Sequence, residues 1–266
     1  MLEMFKLFQK LWNSRDIVWR LAKTDLKIRY AGSYLGIFWS FLEPLLIIAV
    51  YSIVFPLILK MDFLEWFLFF ICGLIPFRYI KKSITEITTC LVDYSSILER
   101  SRVGPEKVVV AKSISTSISF LLESLIIFIL TAFFVRPSFY LLLYIPLFLI
   151  TFLFNLGVGF YLSSLYPRMR DLNYILNVVF EALLFLTPIV YRIEHIPSLY
   201  RGIYALNPLT RLVCLYQETF LKNSPVFVEY FSPLHELPIL FFFSLVTFII
   251  GWKKFRKEVD RSLEMV

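Results

Sequence analysis

Leu35-Gly-Ile-Phe-Trp-Ser-Phe-Leu-Glu-Pro-Leu-Leu-Ile-Ile-Ala-Val-Tyr-Ser-Ile-Val-Phe-Pro-Leu-Ile-Leu59 decides the fold. The stretch holds one charge, Glu43, and exceeds the ~20 mostly apolar residues that a helix needs to cross the hydrocarbon of a bilayer. Five further stretches read the same way: 64–80, 108–135, 139–165, 172–191 and 234–252. The second is interrupted near its end by Pro76 and Arg78, and its helix would continue as a polar, amphipathic stretch through residue 91. Composition agrees. Of the 266 residues, 59% are apolar and 18% charged, against roughly 45–50% and 25% in soluble domains, and a chain of this size has too little interior to hide the excess. Disorder is excluded by the same figures. The expectation is an all-α integral membrane protein with six transmembrane helices.

Charge placement orients the layout. With both termini and the loops after the second and fourth spans on one side, the other side keeps only Lys60, Arg136, Arg192, Arg201, Arg211 and Lys222 of the 27 Lys and Arg. Such asymmetry places both termini in the cytoplasm. The net charge of +7 is then a matter of orientation rather than nucleic-acid binding. Residues 1–34 lack the apolar h-region and cleavage site of a signal peptide. Helical spacing instead puts Arg20, Lys23 and Lys27 on one stripe and Ile17, Leu21 and Ile28 roughly opposite, the pattern of an amphipathic helix in the membrane interface. A solvated juxtamembrane arm is the plainer reading. The transmembrane domain then covers 35–255, with a cytoplasmic loop at about 92–107, an external segment at about 192–233, and a cytoplasmic tail from 256 to 266. Pro197, Pro208, Pro225 and Pro233 break the external segment into short pieces. These are either re-entrant helices, tolerated where they are buried in protein or line a cavity, or amphipathic helices resting on the outer surface.

The chain lacks common catalytic signatures. It has no GxxxxGK[ST] nucleotide loop and no HExxH or GxSxG motif. Cys72, Cys90 and Cys214 form no CxxC pair, and His195 and His235 are too few for a histidine-rich metal centre. No catalytic residue, cofactor or metal is expected in this chain. Three carboxylates, Glu43, Glu123 and Glu181, fall inside spans, where a charge costs at least ~2.5 kcal/mol near the bilayer centre. Each is a functional candidate or makes one structural hydrogen bond. Tyr51, Phe55, Phe152 and Tyr161 stand in transmembrane rows that would suit the C–H faces of sugars, although aromatic rings also fill lipid-facing belts.

Several runs are similar to those of one family. Ile28-Arg-Tyr-Ala-Gly-Ser-Tyr-Leu-Gly-Ile-Phe-Trp39, Glu43-Pro-Leu45 and Tyr51-Ser-Ile-Val-Phe55 resemble the start of the ABC-2 type (type V) permeases that export polysaccharides. Gly73-Leu-Ile-Pro-Phe77 resembles the second span, which in the family more often ends in Trp. Pro105-Glu106 keeps part of a Phe-Pro-x-Glu pattern in the following loop. Arg170-Asp171-Leu172, Leu186-Thr-Pro-Ile-Val-Tyr191 and Asn207-Pro208 with Arg211 resemble the family's most recognisable stretch. The membrane subunits of O-antigen exporters come closest, with capsule and teichoic acid exporters next.

The resemblance implies six transmembrane helices per chain in a homodimer, joined in the bacterial inner membrane by two copies of a separate ATP-binding subunit that holds ATP and Mg. It implies a polysaccharide cargo on undecaprenyl pyrophosphate. Coupling to the ATPase would run through about 16–31 and 95–107, with Arg20, Lys23, Lys27, Arg100, Arg102 and Glu106 as contacts. Arg29 and Tyr30 would meet the lipid pyrophosphate. Tyr51, Phe55, Phe152, Tyr161, Pro188 and Tyr191 would line the channel and its gate, and the external segment would form a pair of short gate helices. Two other classes stay open. A proton-coupled secondary transporter would use Glu123 and Glu181, but no inverted repeat is visible. A membrane enzyme acting on lipid-linked sugars would cluster acids on its loops, and here they are scattered.

Overall fold

The computed structural model describes residues 2–29, 31–60, 62–101, 103–136, 138–222 and 232–263. Tyr30 and Arg102 lie outside them. The described residues form α-helices and short 3₁₀ turns, with no strand. In chain order the helices are α1 (Leu2–Asn13), α2 (Arg15–Arg29), α3 (Trp39–Leu59), α4 (Phe63–Asp93), α5 (Ser95–Arg100), α6 (Pro105–Phe134), α7 (Tyr144–Leu165), α8 (Leu172–Phe185), α9 (Ser198–Leu206), α10 (Pro208–Leu221) and α11 (Pro233–Leu263).

Local chemistry sets their ends. Asp62 caps α4 by accepting from the backbone N–H groups of Leu64 (2.9 Å) and Glu65 (3.1 Å), which satisfies donors the first turn leaves free. Asn207 does the same for α10 through Leu209 N–H at 3.0 Å. Pro105 and Pro208 open α6 and α10 at positions where a missing N–H is harmless. Pro76 does not end α4, which runs unbroken to Asp93.

Among the described residues, five stretches are long and apolar enough to cross a membrane: Gly36–Ile58, Phe63–Asp93, Pro105–Phe134, Phe139–Leu165 and His235–Val259. The chain is a multi-pass membrane protein. The expected crossing at 172–191 takes a different form, because α8 ends after 14 residues. Pro188 cannot continue a helix, and the backbone turns there. Its carbonyls are met by side chains: Gln217 Nε2 donates to Pro188 O (3.2 Å), and Trp66 Nε1 donates to Val190 O (2.8 Å). Backbone away from water needs such partners wherever it leaves the helix.

α4 is the central post, packed against α3, α6, α7, α8 and α10. Much of its surface is buried, including Trp66, Phe70, Phe77 and Ile80. α7 and α11 lie closest together. A Cβ added to Gly251 of α11 would sit 2.0 Å from the Gly157 carbonyl oxygen of α7. Small residues let transmembrane backbones approach in this way.

Two regions refine the reading from sequence. The N-terminal arm is two helices hinged at Ser14, and α2 packs on α6. Its buried face is Val18, Ala22 and Asp25, whereas Ile17 and Ile28 are exposed. The reason lies in α6, whose N-terminal half is lined by Ser113, Ser115, Thr116, Ser117 and Ser119. That surface offers donors to a carboxylate. In the segment expected to be external, α10 is buried from Leu209 to Leu221 except at Arg211, while α9 keeps Leu199, Ile203 and Leu206 exposed.

Candidate functional site

Asp25 seats α2 on the bundle. Its Oδ1 accepts from Lys112 Nζ and Tyr94 OH, each at 2.7 Å, and its Oδ2 accepts from Ser115 Oγ at 2.5 Å. One turn on, Arg29 donates to Glu86, to Asp25 Oδ2 (3.3 Å) and to Ser119 Oγ (3.1 Å). Lys112 lies 3.5 Å from Glu86. Two carboxylates and two cations thus bind α2, α4 and α6 into a charge-balanced knot, with Tyr94 joining from the end of α4. Burial raises the Asp25 carboxyl, but the Lys112 charge and the bonds from Lys112, Ser115 and Tyr94 outweigh it and hold the group below the ordinary aspartate value. Burial and the bond to Asp25 push the Tyr94 hydroxyl up, so it remains the donor.

A second set of charges fans out from α4. Arg78 donates to Glu43 of α3 at 2.7 Å, Lys81 to Glu181 of α8 at 2.5 Å, and Lys82 lies 3.7 Å from Glu123 of α6. All three carboxylates singled out in the spans therefore answer cations on one helix. Residues three and four apart share a helix face, so Arg78, Lys81 and Lys82 form one stripe. The carboxylates differ in setting. The Glu123 side chain is 4% exposed, against 57% for Glu43 and 65% for Glu181. Between α3, α4 and α8 lies a cleft of about 150 Å³, lined by Arg78, Lys81 and Glu181 and by the rings of Tyr51, Phe77 and Phe180.

The remaining candidates are spread out. Arg20, Lys23 and Lys27 are exposed on α2, and Arg100 is exposed at the end of α5. Glu106 is buried in the first turn of α6, 2.7 Å from Lys10. Arg29 points into the knot. Tyr51 stacks on Phe55 and Phe70, and Phe55 on Trp66. Phe152 packs beside Phe148 on α7, and Tyr161 is partly exposed further along the same helix. Neither Phe152 nor Tyr161 lines the cleft. Pro188 is buried. The Tyr191 hydroxyl donates to Phe185 O and is hydrogen-bonded with the Tyr204 hydroxyl, which ties the end of α8 to α9. Near it Arg192 lies 3.4 Å from Glu65, and Arg211 lies 2.7 Å from Glu236. Among the described residues, no three His, Cys, Asp or Glu side chains gather as a metal site requires.

Asp25, Glu86 and Lys112, and the partners Arg78, Lys81 and Lys82, are not among the candidates drawn from sequence. The stripe was signalled by cations at i, i+3 and i+4 within a largely apolar helix. For Asp25 the signal was fainter, a serine-rich run on the helix that receives it.

Comparison with known proteins gives this architecture its family. Residues 17–221 match the sequence model of the ABC-2 type transporter. The chain belongs to the ABC-2 type transporter family. The ABC-2 chain is 27% identical over 254 residues to the O-antigen export system permease protein RfbA of Klebsiella pneumoniae, covering 94% of this chain and 95% of that one. A protein of the same name from Myxococcus xanthus is 26% identical over 223 residues, with 83% and 86% covered. The polysialic acid transport protein KpsM of Escherichia coli is 24% identical over 246 residues, with 90% and 92% covered.

Proposed function

We propose that this ABC-2 chain is the channel-forming subunit of an exporter that moves a lipid-linked polysaccharide, an O-antigen first of all, across the inner membrane. ATP hydrolysis on a separate subunit drives it. The observation that carries the reading is the nearly full-length match to proteins named O-antigen export permeases. The match to a polysialic acid transport protein keeps capsule within the same substrate class.

The geometry supports a conduit. Glu43 and Glu181 project from faces of α3 and α8 that are otherwise apolar and exposed, such as Val50, Ile53, Val178 and Tyr174. Charged side chains at membrane depth face a water-filled cavity or another protein rather than lipid. A second copy across this face would enclose an aqueous path between the two chains, and the functional unit is a homodimer with two ATP-binding subunits. Six crossings follow if α8 and the buried turn after it together span the bilayer. α9 and α10 then form the outer gate, with α10 inserted in protein and α9 at the outer interface. Both termini face the cytoplasm, as the distribution of Lys and Arg directs.

Coupling runs through α2 and the start of α6. The exposed cations Arg20, Lys23, Lys27 and Arg100 meet the ATP-binding subunit, with Glu106 in the first turn of α6 and Arg102 of the preceding sequence as further contacts. The Asp25 knot carries the displacement of α2 into α4 and α6. Nucleotide biases the open and closed states only by its differential affinity for them.

The test is co-purification with an ATP-binding subunit, followed by glycan export from cells or inverted vesicles. Export should require that subunit and stop when its hydrolysis is disabled. Export that continues with a hydrolysis-dead subunit overturns the reading.

A further inference from the structure

We propose that the cleft between α3, α4 and α8 is a diphosphate-binding station, in which Arg78 and Lys81 hold the anion and Glu43 and Glu181 are the internal counter-ions it displaces. The proposal rests on the export reading and names where on this chain the anionic part of a lipid-linked cargo is held.

The cations have donors to spare. A guanidinium carries five N–H donors and an ammonium three. Arg78 gives one bond to Glu43, and its Nε is buried with no hydrogen-bond partner in the protein. Lys81 gives one bond, to Glu181. The cleft beside them, about 150 Å³, has room for several waters or for the oxygens of a phosphate group. An arginine fork beside a lysine point charge suits such an anion.

The carboxylates are placed to leave. The Arg78 and Lys81 side chains are only 19% and 29% exposed, whereas their partners are more than half exposed. The cations are the fixed walls and the glutamates the movable rim. Pairs with so exposed a partner contribute only about 0–1 kcal/mol, and a dianion with several acceptor oxygens outcompetes a single carboxylate. Arg29 and Lys112 are not available in this way, because each already binds two carboxylates inside the knot. Lys82 faces the buried Glu123 instead. Two glutamates facing two cations also leave the empty cleft near neutrality, so an anion passing through is released when they return.

The full-length chain in phosphatidylcholine nanodiscs supplies the test, with farnesyl diphosphate, inorganic pyrophosphate and phosphatidylglycerol as probes. Farnesyl diphosphate should bind, and Arg78→Gln or Lys81→Gln should weaken it by about tenfold or more, the worth of a hydrogen bond to a charged group. Glu43→Gln and Glu181→Gln should tighten binding several-fold, since each removes a competitor. A purely structural ion pair gives no such gain. Should the Gln variants of the cations fail to fold, Arg78→Lys, which keeps the charge and loses the fork, and the tightening by the two glutamate variants decide the question. Pyrophosphate competing with farnesyl diphosphate supports a site for the diphosphate itself. Phosphatidylglycerol competing as strongly overturns that assignment. Unchanged affinity in all four variants overturns the site. Export that persists without this binding overturns the site alone, whereas failure of ATP-dependent export overturns the reading beneath it.

Discussion

Lys112 Nζ lies 2.7 Å from Asp25 Oδ1, and the two side chains are 12% and 8% exposed. This pair joins the N-terminal arm to the bundle, and breaking a buried pair from one side leaves an uncompensated charge. Asp25→Asn or Lys112→Met should therefore lower stability by about 3 kcal/mol. Thermal unfolding followed by size-exclusion in detergent reads the loss. The charge-swapped double variant Asp25→Lys, Lys112→Asp should recover part of it. On the proposed coupling route, export should fall further in the single variants than the loss of folded protein explains.

The same carboxylate gives a pH signature. Asp25 is held below its ordinary value of 3.8, so the folded form takes up its proton less readily than the unfolded one. Its contribution is whole above 3.8 and fades as pH falls through the folded-state value. The difference in melting temperature between wild type and Asp25→Asn should stay constant from neutral pH to about pH 5. Below 3.8 it should shrink. A difference that grows on acidification would contradict the assignment.

Glycine contact between α7 and α11 sets a steric limit. An alanine at Gly251 would drive its Cβ to 2.0 Å from the Gly157 carbonyl oxygen, which is backbone and cannot swing aside. Gly251→Ala should cost about 1–3 kcal/mol or more, as overpacking does. Gly202→Ala in α9 meets nothing within 4 Å and should be neutral or slightly stabilising. Melting temperatures of the two variants side by side make the comparison.

Gln217 bridges α4 and the turn after α8. Its Nε2 donates to Phe69 O at 3.3 Å and to Pro188 O at 3.2 Å. Gln217→Leu should leave these carbonyls short of a donor, at about 1–3 kcal/mol. Hydrogen exchange of the amides at 186–191 should speed up while those of the middle of α4 stay slow.

Five of the six expected spans were legible because an apolar run is a property of consecutive residues; 172–191 was not, because the same run continues through the turn at Pro188. Pro105 and Asn207-Pro208 likewise mark helix starts by local chemistry alone. Pairings between helices were not legible. Glu43, Glu123 and Glu181 stand out on their own helices, but their partners depend on which helices adjoin α4. Asp25 sits between Lys23 and Lys27 on a short amphipathic helix and reads as a solvated residue until α6 is placed beneath it. Aromatic positions were the least informative. Phe120, Phe70 and Trp66 are buried in the core, while Tyr51 lines the cleft. One letter code serves both settings.

α8 has a mechanical consequence for the surrounding bilayer. A helix of 14 residues reaches about 21 Å, well short of a hydrocarbon layer roughly 30 Å thick. In the proposed six-crossing layout, acyl chains beside any part of it that the second copy leaves uncovered must compress, the usual answer to a segment too short for its surroundings. In that layout the two leaflets approach each other most closely beside α8. A headgroup changing sides there has a shorter climb, so transport rate should rise in membranes of shorter-tailed lipid.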